Sequence, residues 1–266
     1  MCRWLAYSGG TVPLGHSVTE PRHSLVAQSI KALESPAATN GDGFGLGWYG
    51  EHVEPGLYRE IRPAWSDENL RYLCHHLKSH LFFAHVRAAT GTPVVRPNCH
   101  PFACGRWLFM HNGFVGAWAQ IRRRIECLIP DAIYPSRMGT TDSEALFLAM
   151  LGAGVEADPI GATEQILHRV VTLIAEADPR QSLRFTSALA NGEDLYAFRF
   201  AFNDSANTLY YKTSISSIVV VSEPLDGEAA TWKVVPENHV LIARANCAPE
   251  IRALRVPSPR AIDDVA

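Results

Sequence analysis

The chain has 266 residues, of which 47% are hydrophobic and 19% are charged. This composition is typical of a folded globular protein and excludes the collagen-like and intrinsically disordered classes. The 24 basic and 27 acidic residues give a net charge of -3, which favours neither nucleic acid nor an anionic membrane surface as a partner. The length suits one large domain, and no apolar run is long enough for a membrane span or a signal-peptide core.

The six cysteines lie at positions 2, 74, 99, 104, 127 and 247. They form no CxxC pair and lack the dense spacing of disulfide-rich secreted domains, which favours a reducing compartment. We therefore expect a soluble, cytoplasmic protein that needs no cofactor.

Helices and strands alternate over the first two thirds of the chain, as the hydrophobic periodicity indicates. Apolar strands are predicted at 3–8, 80–89 and 107–110, and the glycine-rich run at 40–50 is typical of a turn that leads into a strand against a close neighbour. Helices are predicted at 23–34, 66–78, 118–128, 141–151 and 163–177. In the first helix Leu25, Ile30 and Leu33 share the expected buried face, and in the third the run Arg122–Arg124 faces solvent.

Beyond Leu183 the pattern changes to short strands. They are predicted at 183–189, 195–202, 208–212, 218–221 and 232–243, with an Asn191-Gly192 turn and a break near Pro236. Helices interleaved with strands, followed by a run of strands, indicate an α+β domain built in layers.

Cys2 is a candidate nucleophile because a small second residue lets the initiator methionine be removed. The exposed residue then carries both a thiol and a free α-amine, whose pKa values of about 8.5 and about 8 allow a proton to pass between them near neutral pH. The alternative is that Cys2 only begins a buried strand, since free cysteine packs well in cores.

His111-Asn112-Gly113 follows an apolar strand, where we expect a polar turn to begin. The Asn112 side-chain amide and the Gly113 backbone N–H are suited to hold the oxyanion of an amide hydrolase, each donor contributing about 3 kcal/mol. A plain Asn-Gly hairpin turn is the alternative.

Arg87, at the end of a predicted strand, is a candidate fork for a substrate carboxylate, supported by the Thr90 hydroxyl. A structural ion pair is its alternative role. Asp142 lies in the first turn of a helix that opens with the capping-box spacing Thr141-Asp142-Ser143-Glu144, and its carboxylate is suited to a substrate ammonium group. Together Arg87 and Asp142 would suit the head group of an α-amino acid.

Six motifs in chain order resemble the class II glutamine amidotransferases, and among them the stand-alone YafJ-like subgroup and the related γ-glutamyl amidohydrolase of ergothioneine synthesis. The motifs are Met1-Cys2-Arg3-Trp4-Leu5-Ala6-Tyr7, the Gly-Asp-Gly-Phe-Gly-x-Gly-Trp run at 41–48, His85-Val-Arg87-Ala-Ala-Thr90, Asn98-Cys-His-Pro-Phe102, His111-Asn112-Gly113 and Thr141-Asp142-Ser-Glu144. They span about the first 150 residues, and Val221-Ser-Glu-Pro-Leu225 resembles a late strand of the family.

The resemblance implies an Ntn-hydrolase αββα sandwich, with two stacked, mainly antiparallel sheets, over residues 2–256 and a loose tail at 257–266. It implies Cys2 as nucleophile, Asn112 and Gly113 as oxyanion donors, Arg87 on the substrate carboxylate and Asp142 on its ammonium group. Ala88 and Gly91 stand where synthase-linked members tend to carry tryptophan and histidine, so the pocket rim differs from theirs.

The function predicted from these residues is cleavage of the γ-carboxamide of glutamine, or of a γ-glutamyl amide, through a γ-glutamyl thioester on Cys2. Nothing in the chain remains for a synthase, so either a separate partner accepts the ammonia or none exists. Two other classes stay open: a non-catalytic amino-acid sensor with the same fold, and a metal-binding regulatory protein that uses the His- and Cys-rich segment 74–111. Its ligand spacing fits no tetrahedral set, and His85, His100 and His111 are expected to hydrogen-bond around the site strands instead.

Overall fold

Thirteen strands and six helices make up the computed structural model, which describes residues 2–34, 39–245 and 247–259. The strands are β1 Arg3–Pro13, β2 Phe44–Trp48, β3 Gly56–Glu60, β4 Lys78–Val86, β5 Phe102–Cys104, β6 Trp107–Val115, β7 Leu183–Ala190, β8 Leu195–Phe202, β9 Tyr210–Thr213, β10 Ser217–Val221, β11 Lys233–Val234, β12 His239–Ala243 and β13 Glu250–Ala253. The helices are α1 Gly15–Val18, α2 Leu25–Ile30, α3 Glu68–His76, α4 Trp118–Glu126, α5 Asp142–Gly152 and α6 Pro159–Ala177.

The strands form two antiparallel sheets. One has seven strands in the order β11-β9-β10-β1-β4-β2-β3, and the other has six in the order β13-β12-β8-β7-β6-β5. Hydrophobic side chains from both sheets meet in a middle layer that includes Trp4, Phe83, Met110 and Leu241. Because side chains alternate along a strand, the neighbouring residues of each strand point to the outer faces.

Helices cover both outer faces. The first three helices pack on the seven-stranded sheet, for example Leu25 and Leu70 against Phe82. The other three pack on the six-stranded sheet, for example Phe147 stacked on Phe109 with ring centroids 5.2 Å apart. The four layers form an αββα sandwich, which confirms the predicted fold class.

Two local predictions were wrong. The helix predicted at 23–34 ends at Ile30, and Ile30 and Leu33 are 52% and 71% exposed, so they do not share a buried face. The strand predicted to end at Met110 continues to Val115, so Asn112 and Gly113 lie in a strand and form no hairpin turn. Between residues 2 and 259, apart from the undescribed positions, none of the helices is long and apolar enough to cross a lipid bilayer. The predicted loose tail lies outside the described residues from position 260 onward.

Candidate active site

Cys2 lies immediately before β1, at one end of the middle layer. Arg3 pairs with Val86 on β4, so Cys2 comes opposite Arg87 as the strands continue. Its Sγ donates to the Ala88 carbonyl oxygen at 3.6 Å. Trp4 and Ala6 point into the middle layer, and strand alternation directs the Cys2 side chain the same way.

The Cys2 side chain is partly buried. Burial raises its pKa, and the hydrogen bond to Ala88 and the nearby cations Arg87 and Arg3 offset this only in part. A thiol in this state needs a base to become a nucleophile. The fold therefore places the Cys2 thiol in the site but does not by itself convert it to the reactive thiolate.

Asn112 and Gly113 lie near the end of β6. Leu108 and Met110 point into the middle layer, so alternation places the Asn112 side chain there too. Asn112 is 2% exposed, and its Nδ2 has no hydrogen-bond partner among the described residues. A buried amide without a partner is uncommon, and this one is suited to donate to a substrate.

The backbone of Gly113 faces an open edge of β6. The neighbouring β5 pairs only with Trp107–Phe109, and further along the same strand the Val115 N–H donates to Asp142 Oδ2 at 2.9 Å. Because N–H groups alternate in direction along a strand, the Gly113 N–H points to the edge that Val115 uses. A Cβ at Gly113 would collide with the Arg184 carbonyl oxygen and the His111 ring, so packing also requires glycine here.

Cys2 and Asn112 lie at the same end of the sandwich. At the opposite end the Tyr49 hydroxyl is 2.8 Å from the Ala190 carbonyl oxygen, and the Tyr49 N–H donates to Leu81. Leu81 pairs with Ser8 late in β1, whereas Ala190 pairs with Leu108 early in β6. The start of β1, which follows Cys2, and the end of β6, which contains Asn112, therefore both lie at the end of the sandwich away from Tyr49.

Arg87 is 3% exposed and follows β4. Its Nη2 donates to Thr92 Oγ1 at 2.7 Å and to the Pro93 carbonyl oxygen at 3.2 Å. The hydroxyl that Arg87 contacts is that of Thr92, while Thr90 is exposed in the same loop and stays a predicted substrate contact. The guanidinium orders its own loop next to Cys2, and no carboxylate of the described residues forms an ion pair with it.

Asp142 begins α5 beside the open edge of β6. One carboxylate oxygen accepts from Val115 and the other accepts from the Ser143 N–H at 2.8 Å. Thr141 caps the helix by accepting from the Glu144 N–H at 3.2 Å. The second arm of the predicted capping box is absent, because Glu144 instead accepts from Gly139 and pairs with Arg137.

His85 and His100 are stacked between the sheets, with ring centroids 4.3 Å apart. Burial lowers the pKa of His85 to about 3, with a further contribution from Arg87, and burial also lowers the pKa of His100. Neither ring makes a well-formed hydrogen bond among the described residues, although the backbone of His111 lies close enough to His85 to oppose the fall in its pKa. The predicted hydrogen bonds are well formed at His111. Its ring reaches Ser143 Oγ at 2.9 Å and the Arg184 carbonyl at 3.1 Å.

Two residues that hold the site together had no role assigned from the sequence. Asp42 accepts from the Ala89 N–H at 2.7 Å and so fixes the chain next to Ala88. Asn98 donates to the Pro93 carbonyl at 2.9 Å and accepts from the Thr140 N–H at 2.8 Å, which joins the Arg87 loop to the approach of α5. Asp42 and Asn98 both lie in the motifs that resemble the family, so the resemblance could have indicated a role for them.

The His- and Cys-rich segment is dispersed in the fold. His75 and His76 are exposed in the last turn of α3, whereas Cys74 and Cys99 are buried. Within the described ranges, no group of three or more His, Cys, Asp or Glu side chains is arranged to hold a metal ion. All six cysteines are free thiols.

A cysteine at position 2, a buried strand-borne amide and an αββα sandwich are the features expected of an N-terminal-nucleophile amidohydrolase. A family model described as "Glutamine amidotransferases class-II" matches residues 19–213. The probable glutamine amidotransferase DUG3 of Saccharomyces cerevisiae is 31% identical over 91% of this chain and 81% of its own. The gamma-glutamyl-hercynylcysteine sulfoxide hydrolase of Mycobacterium tuberculosis is 28% identical over 91% of this chain and 92% of its own.

Solved structures agree with these matches. A glutamine aminotransferase class-II domain protein from Silicibacter pomeroyi superimposes with a TM-score of 0.74 at 35% identity, covering 96% of this chain and all of that one. The glutamine phosphoribosylpyrophosphate amidotransferase of B. subtilis shares the fold, with a TM-score of 0.66 at 13% identity over 97% of this chain and 50% of that one. The chain belongs to the class II glutamine amidotransferases and is an enzyme of that family.

Proposed function

We propose that the protein hydrolyses the γ-carboxamide of glutamine or of a γ-glutamyl amide through a γ-glutamyl thioester on Cys2. The observation that carries the proposal is the position of Cys2 at the same sandwich end as the buried, unpartnered amide of Asn112. A nucleophile and an oxyanion donor at one end of the sandwich are the two parts that acyl transfer requires.

The base in this proposal is the α-amine of Cys2, exposed after removal of Met1. His85 is a poor candidate because its pKa of about 3 gives it little affinity for the thiol proton. The α-amine, with a pKa of about 8, is matched to the task near neutral pH. The amine takes the thiol proton, and Sγ attacks the γ-carbonyl carbon.

The tetrahedral oxyanion then accepts from Asn112 Nδ2 and the Gly113 N–H. When it collapses, the carbon–nitrogen bond breaks and the ammonium form of Cys2 returns the proton to the leaving ammonia or amine. Water attacks the thioester in the second half, with the α-amine again as base, and glutamate and the free thiol are released. Atoms balance as one amide plus one water giving glutamate plus ammonia or an amine.

Arg87 and Asp142 are proposed to bind the α-carboxylate and α-ammonium groups of the glutamyl moiety. Arg87 has no carboxylate partner among the ion pairs described, and a buried guanidinium suits a bidentate carboxylate. The relatives are named a probable glutamine amidotransferase and a gamma-glutamyl-hercynylcysteine sulfoxide hydrolase, and a substrate with a glutamyl head group is compatible with both names.

We further propose that residues 2–256 act as one catalytic domain in the cytoplasm, and that any synthase that uses the ammonia is a separate protein. A non-catalytic sensor would bind glutamine without turnover. That alternative is separated from catalysis by the following experiment.

The test is glutamate release from glutamine and from a panel of γ-glutamyl amides by the wild type, Cys2→Ala and Cys2→Ser. We expect Cys2-dependent turnover of at least one substrate, and loss of it in both variants while their melting temperatures stay near wild type. The matched control is Cys127→Ser, an exposed cysteine, which should keep full activity. Equal turnover by Cys2→Ala would refute the proposal.

A further inference from the structure

The segment between β8 and β9 crosses from the six-stranded sheet to the seven-stranded sheet at the active-site end. Asn207 and Thr208 lie in its middle, and we call these two residues the bridge. Asn207 is 6% exposed, and its Nδ2 donates to the backbone carbonyl oxygen of Asn112 at 3.0 Å. One arm of the bridge therefore holds the residue whose side chain is proposed to bind the oxyanion.

The other arm reaches the strand that begins at the nucleophile. Thr208 Oγ1 donates to the Ser222 carbonyl oxygen at 2.8 Å. Ser222 in turn holds Trp4 twice, because its Oγ accepts from the Trp4 N–H at 3.1 Å and its own N–H donates to the Trp4 carbonyl at 3.0 Å. Trp4 is two residues from Cys2.

The bridge is itself fixed in place. Arg199 Nε donates to the Asn207 carbonyl oxygen at 2.9 Å, and Arg199 Nη1 donates to the Val235 carbonyl at 2.8 Å. Asn207 therefore has its backbone anchored to β8 while its side chain contacts β6. Because buried hydrogen bonds in a low-dielectric layer resist rearrangement, the anchored backbone of Asn207 fixes the position of its side chain. The side chain in turn fixes the position of the Asn112 backbone.

We propose that Asn207 is a positioning residue that sets the location of Asn112 relative to Cys2. This inference rests on the proposed function. The side-chain amide of Asn207 contacts the Asn112 backbone carbonyl, so its proposed effect on the reaction passes through Asn112. A displacement of about 1 Å in a catalytic group can cost about a hundredfold in rate, so losing the Asn207 donor should lower kcat and leave substrate binding by Arg87 nearly unchanged.

The test compares Asn207→Asp, which keeps the side-chain volume and removes the donor, with Thr208→Val, which cuts the second arm. The matched control is Asn203→Asp in the same segment, whose amide donates to the Pro179 and Gln181 carbonyls away from the site. We expect Asn207→Asp to lower kcat about 10- to 100-fold with KM within about twofold, Thr208→Val to lower it less, and Asn203→Asp to match the wild type. The concentration of active sites is measured by labelling Cys2 to completion with a glutamine-like diazo-ketone. Each kcat is calculated from that concentration, so that unfolded protein does not lower it.

A double variant separates positioning from general stability. Asn112→Ala combined with Asn207→Asp should be no more than about twofold slower than Asn112→Ala alone, because the two residues act through one group. Multiplied losses, an unchanged kcat in Asn207→Asp, or an equal loss in Asn203→Asp would overturn the inference. If turnover persists in Cys2→Ala, the proposed function itself has failed, which is a different result from Cys2-dependent turnover that ignores Asn207.

Discussion

The stacked pair His85 and His100 predicts a loss of stability on mild acidification. Both rings are buried without a well-formed hydrogen bond among the described residues, and their pKa values are lowered by burial. In mild acid the two histidines therefore bind protons in the unfolded chain but not in the folded protein. The free energy of unfolding is highest above the unfolded-state pKa of 6.5 and falls as the pH decreases toward the folded-state pKa.

The magnitude follows from His85 alone. A site with a pKa of 6.5 when unfolded and about 3 when folded lowers the free energy of unfolding by about 2 kcal/mol between pH 7 and pH 5. His100 adds to this in the same direction. With a urea slope of about 2 kcal/mol per molar, the unfolding midpoint should fall by about 1 M or more. The lowered pKa values of acidic groups such as Asp204 affect stability at lower pH, outside this window.

The assay is urea unfolding at pH 7 and pH 5 for the wild type, His85→Gln and His76→Gln. His76 is exposed at the end of α3, so its variant should keep the wild-type difference between the two pH values. His85→Gln should reduce that difference by about 2 kcal/mol even if its stability at pH 7 is lower. An equal midpoint at both pH values in the wild type, or a full difference in His85→Gln, would refute the burial argument.

Two further predictions concern the substrate contacts and the oxyanion strand. Arg87→Lys should raise KM and cost about 1.5–3 kcal/mol in kcat/KM, whereas Asn112→Ala should lower kcat about a hundredfold with little change in KM; steady-state kinetics showing the opposite pattern would reverse the two roles. Gly113→Ala should destabilise the protein by about 1–3 kcal/mol because its Cβ would collide with the Arg184 carbonyl and the His111 ring. Thermal melting checks this, with Gly10→Ala, where a Cβ meets no atom within 4 Å, as the control.

The layered fold was predictable because the periodicity changes from helical to strand-like near Leu183 and each strand alternates between two packed faces. The strand Leu195–Phe202 has the predicted bounds. Asn112 was expected in a turn because Asn-Gly is a common turn signal. In the structure eight cross-strand pairs with β7 keep it in a strand, a tertiary preference that local sequence does not contain.

Cys2 could be singled out from the sequence because a cysteine at position 2 offers a thiol and an α-amine on one residue; its catalytic role stays a prediction. The sequence did not indicate that Arg87 would contact Thr92, which lies just beyond Gly91, whose φ is +74°; the substrate contact predicted for Thr90 stays a prediction. The bridge at Asn207 and Thr208 could not be anticipated, because its partners lie 95 and 14 residues away in the chain and no motif joins them.

The central claim is that Cys2, with a free α-amine, carries the glutamyl group during turnover. The most direct measurement is mass spectrometry of the enzyme quenched in acid during turnover, followed by peptide mapping. We predict an N-terminal peptide that lacks Met1 and carries a glutamyl group on the Cys2 sulfur, with the exposed Cys127 and Cys247 unmodified. A retained Met1 in active enzyme, or a glutamyl group on any other cysteine, would contradict the account.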